Sequence, residues 1–433
     1  MLRIRPHLPF PSATSAQPLR LCVKKRTSLF LTGAKSRRIL ATIALVALAN
    51  VAQAADPVSG DKIEFKKTVL DVKFRSEGVA VADFNKDGKL DVATGRVWFA
   101  APDWKMHVVE GDGKDFDPHG YSGSFCNFAD DLNGDGWPDL ILVDFPGTPT
   151  YWYENPKETG KPWTRHVMAK VSNNESPTYL DVDGDGIREL VMGIAPADNV
   201  DGPQRQMAVL ARTKDPTAEW AARVVSTKGA PGTVRYAHGL GVGDVNGDGR
   251  NDVLVKEGWW EAPADKSASP WQFHAAPFGA DCAHIYVYDF DGDGDNDVLS
   301  SSAHQVGIWW HEQTKADDGK PAWKTHEIER SFSQTHSLML ADINGDSLPD
   351  FVTGKRWWAH GPGGDIDPNA PAVMFWFELK RDGSKATWIP HQFDHDSGVG
   401  TQFEVVDLNG DGLLDVATAN KKGARIFIQE RKS

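Results

Sequence analysis

Cysteine is scarce: three in 433 residues. Of these, Cys126 and Cys282 fall in separate repeats and read as free thiols, which excludes a disulfide-stapled scaffold. Long apolar runs are also lacking. The best candidate, "ILATIALVALA" at 39–49, is too short to span a bilayer. There is no nucleophile elbow, no phosphate-binding glycine loop and no zincin motif, so hydrolase and nucleotide-dependent readings have nothing to rest on. Positive charge is short as well, with 47 Lys and Arg against 60 Asp and Glu for a formal charge of −13. The first 54 residues hold nine of the cations and no acid, so the rest of the chain carries −22. A chain this acidic suits neither nucleic acid nor an anionic membrane surface.

The acids are not scattered. They recur as Asp-x-(Asn/Asp)-x-Asp-Gly-x-x-(Asp/Glu) in seven loops reading DFNKDGKLD, DLNGDGWPD, DVDGDGIRE, DVNGDGRND, DFDGDGDND, DINGDSLPD and DLNGDGLLD. Their starts lie 45 to 65 residues apart, the spacing of four-stranded propeller blades with variable insertions. Ca²⁺ takes six to eight hard oxygen ligands, and alternate loop residues can turn theirs to one centre. The expected ligands are Asp83, Asn85, Asp87 and Asp91; Asp131, Asn133, Asp135 and Asp139; Asp181, Asp183, Asp185 and Glu189; and Asp244, Asn246, Asp248 and Asp252. Asp289, Asp291, Asp293 and Asp297, then Asp342, Asn344, Asp346 and Asp350, then Asp407, Asn409, Asp411 and Asp415 complete the set. The alternative is an Asp/Gly hairpin without an ion. Ser347 stands where the other six loops have glycine, which makes the 342 loop the weakest member.

At the N-terminus, basic "KSRR" precedes the apolar run and Ala52-Gln53-Ala54 offers a small-x-small cleavage pattern. This predicts a signal peptide over 1–54, a linker over 55–61, a domain over 62–433, and a secreted or periplasmic protein without a membrane span.

A second repeat, Trp-x-x-His, occurs at Trp104/His107, Trp163/His166, Trp271/His274, Trp323/His326 and Trp388/His391, with Trp220/Arg223 as a variant. Aromatic runs such as "VWFA", "YWYE" and "GWWE" mostly sit between each acidic loop and the next such strand. Each unit therefore reads strand, acidic loop, strand, turn, aromatic strand, Trp-x-x-His strand. The chain stops after two strands beyond its last loop, whereas "KIEFKKTVLDV" (62–72) precedes the first unit with Phe65 and Thr68 in place of Trp and His. The expected fold is all-β: a seven-bladed β-propeller of four-stranded blades, its last blade closed by the N-terminal strand.

The acidic loops resemble the FG-GAP/VCBS repeats of calcium-binding β-propellers, related to the head of integrin α chains, over nearly all of 62–433. That family includes adhesion modules, lectin-like binders and polysaccharide lyases. The segments "AHGLGVGDVNGDGRND", "SSAHQVGIWWHEQ", "SQTHSLMLADINGD" and "DSGVGTQFEVVDLNGDGLLD" resemble more particularly the propeller domain of aldos-2-ulose dehydratase. That resemblance implies a top-face site that eliminates water from a keto-sugar.

Opposite the acidic loops, the strand starts gather Glu77, Glu175, His238, His284, His336 and Gln402, and the turns add Arg96, Lys256, His304, Lys355, Arg356 and His360. Tyr121, Arg235 and Tyr236 lie nearby in the chain connections. His238, His284 and His336 can hold a transition metal that polarises a sugar carbonyl, or a His or Tyr can take a proton α to it while Arg356 or Lys355 holds an anion. His238, His284, His304, His336, Tyr236 and Arg356 are the candidate catalytic residues. Trp259, Trp309 and Trp357 are candidate faces for a sugar ring. Two readings stay open: a carbon–oxygen lyase acting on a keto-sugar or uronic acid, and a non-catalytic scaffold binding a glycan or a protein. A third possibility, histidines wedged between blades, follows from the phase that His238 and His336 share with Leu240, Val242, Leu338 and Leu340.

Overall fold

A computed structural model describes residues 58–432 apart from 176, 280, 281 and 318. The expected signal peptide lies outside the described residues, as does the first half of the expected linker. What is described is all-β save for one short 3₁₀ turn at Gly60–Lys62, and none of its helices is long and apolar enough to cross a membrane.

The strands form antiparallel meanders in a propeller arrangement. In the first unit, Ala80–Ala82, Asp91–Thr94, Val97–Ala100 and Lys105–Val108 pair in chain order, with the acidic loop joining the first two. Seven separate blades were expected. Five four-stranded sheets are separate, and the remaining eight strands form one sheet, because Leu240–Gly243 pairs in parallel with Cys282–Tyr288 through Leu240↔His284 and Gly241↔Ile285. Closure follows the sequence reading. Ile63–Asp71 runs antiparallel to Gly423–Arg431, with Phe65 opposite Gln429, and completes the sheet of Phe403–Val406 and Asp415–Asn420. The first strand Phe403–Val406 in turn packs beside Ala80–Ala82, so the ends of the chain meet. The expected linker is partly structural: the Val58 amide donates to the Asn344 carbonyl at 3.0 Å, tying residue 58 to the 342 loop.

The aromatic repeats pack the blades. In five units one third-strand tryptophan stacks on the histidine opposite it, as in Trp152 on His166 at 4.4 Å and Trp259 on His274 at 4.3 Å between centroids. The histidine is held edge-on by a third-strand glutamate, His166 Nε2 to Glu154 at 3.0 Å and His326 Nε2 to Glu312 at 2.6 Å. Trp259, a candidate sugar platform, is thereby buried blade core. Next to Trp220, Arg223 replaces the histidine and reaches Asp183 of the acidic loop instead.

Candidate functional site

The acidic loops wrap on themselves through their own carboxylates. Asp131 accepts from the amides of Gly134, Asp135 and Gly136, Asn133 from that of Asp135, and Asp135 from that of Trp137. Positive φ at Gly134 and Gly136 turns those amides inward. The ninth residue adds a second task. Asp252 is buried and accepts from Val245 N at 3.0 Å through one oxygen and from Ala262 N at 2.8 Å through the other, clasping its loop to the third strand. Asp91, Asp139, Asp297, Asp350 and Asp415 repeat that double clasp.

The donors fit a hard cation. Asp181, Asp183 and Asp185, and likewise Asp289, Asp291 and Asp297, bring one oxygen each within 4.8 Å of one another. Burial, then the like charges of Asp135 and Asp131, push Asp139 up to about 7, and burial pushes Asp350 up to about 8. A divalent ion would relieve that cost. The 181 loop is the exception in charge, since Arg223 and Lys266 both pair with Asp183 at 3.0 and 3.1 Å. An open cleft of about 500 Å³ lies beside it, lined by Arg223, Arg250, Lys266 and Trp271.

On the opposite face, the residue six before each loop-opening aspartate lies at or just ahead of the first strand of its unit: Glu77, Phe125, Glu175, His238, Ala283, His336 and Thr401. Backbone bonds link these starts around the ring, with Glu77 N donating to Ser124 O at 2.9 Å and Thr401 N to Glu77 O at 2.7 Å. Packing there is tight. A Cβ on Gly400 would sit 2.1 Å from the Glu77 carbonyl oxygen and 2.2 Å from that of Ala419.

Four histidines meet at this face. His304 Nε2 lies 2.5 Å from His238 Nε2, and His304 Nδ1 lies 3.1 Å from His360 Nε2. His304, His336 and His360 each offer a nitrogen within 4.8 Å of the others. Tyr121 Oη is 2.7 Å from His360 Nδ1, and Arg356 Nη1 is 3.1 Å from His336 Nδ1. Burial, followed by the nearby cation Arg356, holds His336 well below the usual histidine range. Burial with His304, Arg356 and Lys421 lowers His360 to about 2. Neutral imidazoles are the form that binds a metal.

The grouping differs from the expected His238, His284 and His336. His284 is not brought in; its Nδ1 accepts from the Leu338 amide at 2.7 Å, wedged against the first strand of the next unit. That is the packing role the sequence left open. His360 takes a place in the group from the long insert after Arg356. It is set there by the Asp365 carboxylate on its amide at 2.9 Å and by Lys421 Nζ, which donates to the carbonyls of Trp358 and Ala359 at 2.9 and 3.3 Å. Tyr236 stays on the rim, packed on Phe145 at 5.7 Å under the Arg235 guanidinium. Trp309 lies in the strand Val306–Lys315, while half-buried Trp357 lies under the Lys422 ammonium.

Charge completes the site. Arg356 is buried and ion-paired with Glu77; burial works against its charge, and Glu77 and Glu175 outweigh that and raise it. Burial pushes the Glu175 carboxyl up to about 8, with Arg356 opposing and Glu77 adding to the shift. Lys421 is lowered by burial to about 8.

The FG-GAP-like repeat model matches residues 131–192 and 264–353, so the chain carries FG-GAP-like repeats. No curated protein matches it. Among solved structures it is similar to an Agrocybe aegerita lectin that recognises non-reducing terminal N-acetylglucosamine, at 15% identity and a TM-score of 0.42 over 86% of this chain and 87% of that one. It is also similar to an exotype rhamnogalacturonan lyase, at 16% identity and 0.41 over 84% and 72%. A Bacillus licheniformis rhamnogalacturonan lyase gives 13% identity and 0.39 over 84% and 72%. These are likenesses of architecture.

Proposed function

We propose that the protein is an exported, calcium-stabilised, seven-bladed propeller whose top face holds one divalent transition metal and acts on carbohydrate as a carbon–oxygen lyase, of dehydratase or polysaccharide-lyase type. The observation that carries this reading is the meeting of His304, His336 and His360, from three separate stretches of chain, with ligand nitrogens within 4.8 Å. Packing alone does not call for neutral imidazoles aimed at one another beside a buried Arg–Glu pair, and clustered perturbed groups mark functional sites. The count of seven takes the eight-stranded sheet as two blades joined by their first strands. Export takes residues 1–54 as a signal peptide, and calcium takes the seven acidic loops as its sites.

In this reading His304, His336 and His360 hold the metal and His238 supports His304 from behind. The bound ion supplies Lewis-acid polarisation of a sugar carbonyl or carboxylate. Arg356 fixes the orientation of His336, Tyr121 that of His360, and Lys421 pins the turn that carries His360. Elemental analysis of the purified protein tests the reading: about one transition metal per chain in addition to calcium, lost in His304→Ala and His360→Ala and retained in His284→Ala. Calcium alone would contradict it. Mass spectrometry of the exported protein is expected to place its first residue at Ala55.

A second reading, a non-catalytic glycan- or protein-binding scaffold, draws on the cation-capped aromatics of the same face: Arg235 over Tyr236 at 4.5 Å, Lys421 over Tyr121 at 4.7 Å and Lys422 over Trp357 at 5.3 Å. It predicts glycan binding that survives His304→Ala and is lost in Trp357→Ala.

A further inference from the structure

We propose that Glu77 and Glu175 are a divided acid–base pair, Glu77 taking a proton from the ligand and Glu175 giving one to the oxygen that leaves. This rests on the elimination reading above. Both glutamates lie six before their loops, three residues ahead of the first strands Ala80–Ala82 and Thr178–Leu180, the position that in other units supplies His238 and His336. Arg356 joins that ring to the histidines, ion-paired with Glu77 and 3.1 Å from His336 Nδ1. Both carboxyls are buried, at 0% and 2% exposure. Each keeps an oxygen, Glu77 Oε1 and Glu175 Oε2, with no hydrogen-bond partner among the described residues. Polar atoms buried without a partner are costly, so such atoms point to a group that arrives.

Their surroundings differ in where the cation sits. Glu77 is ion-paired with the buried Arg356 guanidinium, which places a cation against the group assigned as the base. Glu175 has no ion pair among the described residues; it stands in the fields of Arg356, Glu77 and Lys421, and burial raises its carboxyl to about 8. Titratable pairs driven apart by environment are how one site holds an acid and a base at once.

The step balances. The C–H bond α to the sugar carbonyl breaks and its proton passes to Glu77. The electron pair forms the C=C bond, and the C–O bond at the β carbon breaks. Glu175 gives its proton to the departing oxygen, so water or an alcohol leaves with nothing oxidised or reduced. Return of the proton from Glu77 to Glu175 restores the site.

The test follows keto-sugars and uronide oligosaccharides in D₂O by NMR, reading deuterium exchange at the α carbon and product formation separately. Wild type is expected to do both. Glu175→Gln is expected to exchange the α proton but form product about 100-fold or more slowly, and Glu77→Gln to lose both. Equal loss of both steps in the two variants, or none in Glu175→Gln, would overturn the assignment while leaving the elimination reading standing. A wild type inert in both readouts sinks the two together. Because Glu77→Gln strands Arg356 and can unfold the chain, the ligand-free protein gives a second check. Infrared difference spectra of wild type minus Glu175→Gln near neutral pH, both with calcium present, are expected to show the loss of one protonated-carboxyl band, and spectra identical in that region refute the assignment.

Discussion

At the scale of single residues, Glu175 makes a prediction that needs no ligand. Its folded carboxyl is raised to about 8 from an ordinary value near 4.5, by burial first, with Arg356 and Lys421 opposing and Glu77 reinforcing. The folded state therefore binds a proton that the unfolded chain releases, so this group lowers stability as pH rises from about 4.5 to 8. Thermal unfolding at stepped pH should show that decline in wild type and a flatter profile in Glu175→Gln. Parallel profiles would refute it. The site was partly legible at this scale. The five-residue offset of His284, against six for His238 and His336, already set it apart, and the structure seats it on the Leu338 amide. His360 was harder to weigh, since it sits in a long insert where no repeat position marks it and its partners are distant in sequence. Glu175 was visible as a strand start, but the lack of a partner that gives it meaning is a fact of three dimensions.

At the scale of elements, the acidic loop has two parts with separable effects. The ninth residue is a clasp, and Asp252→Ala removes the acceptor of two backbone amides. Chemical denaturation should show a loss of about 3 kcal/mol with or without calcium. Asp248→Ala, by contrast, should lower calcium affinity and leave the calcium-free stability nearly unchanged. Equal costs from the two changes would mean that the clasp and the ion site are one. The 181 loop carries its own counter-ions, so Arg223→Ala should tighten its calcium binding in titration calorimetry, and weaker binding would refute that role. The sequence showed the loops and their alternate ligands because nine residues hold the whole pattern. It did not show the clasp, whose second amide comes from ten residues downstream in the case of Ala262 and further in other units.

At the scale of the whole molecule, strand order and closure were legible because a propeller is built from local hairpins, and among the described residues only Ile63–Asp71 pairs across the length of the chain. Blade number was less so, since the parallel pairing of Leu240–Gly243 with Cys282–Tyr288 merges two units into one sheet. The ring makes stability a shared property. Chelation of calcium should lower the melting temperature in one cooperative transition, by mass action on the folded state. Loss of residues up to 72 should expose the edge of Gly423–Arg431 and cause association, read by light scattering. A monomeric, equally stable truncation would contradict closure by that strand.

The most direct test of the metal-centred top face is anomalous diffraction from crystals of the purified protein at a transition-metal absorption edge. The account predicts one strong peak about 2.1 Å from nitrogens of His304, His336 and His360, separate from calcium in the acidic loops. No peak there, with the imidazoles bonded only to one another, would contradict it.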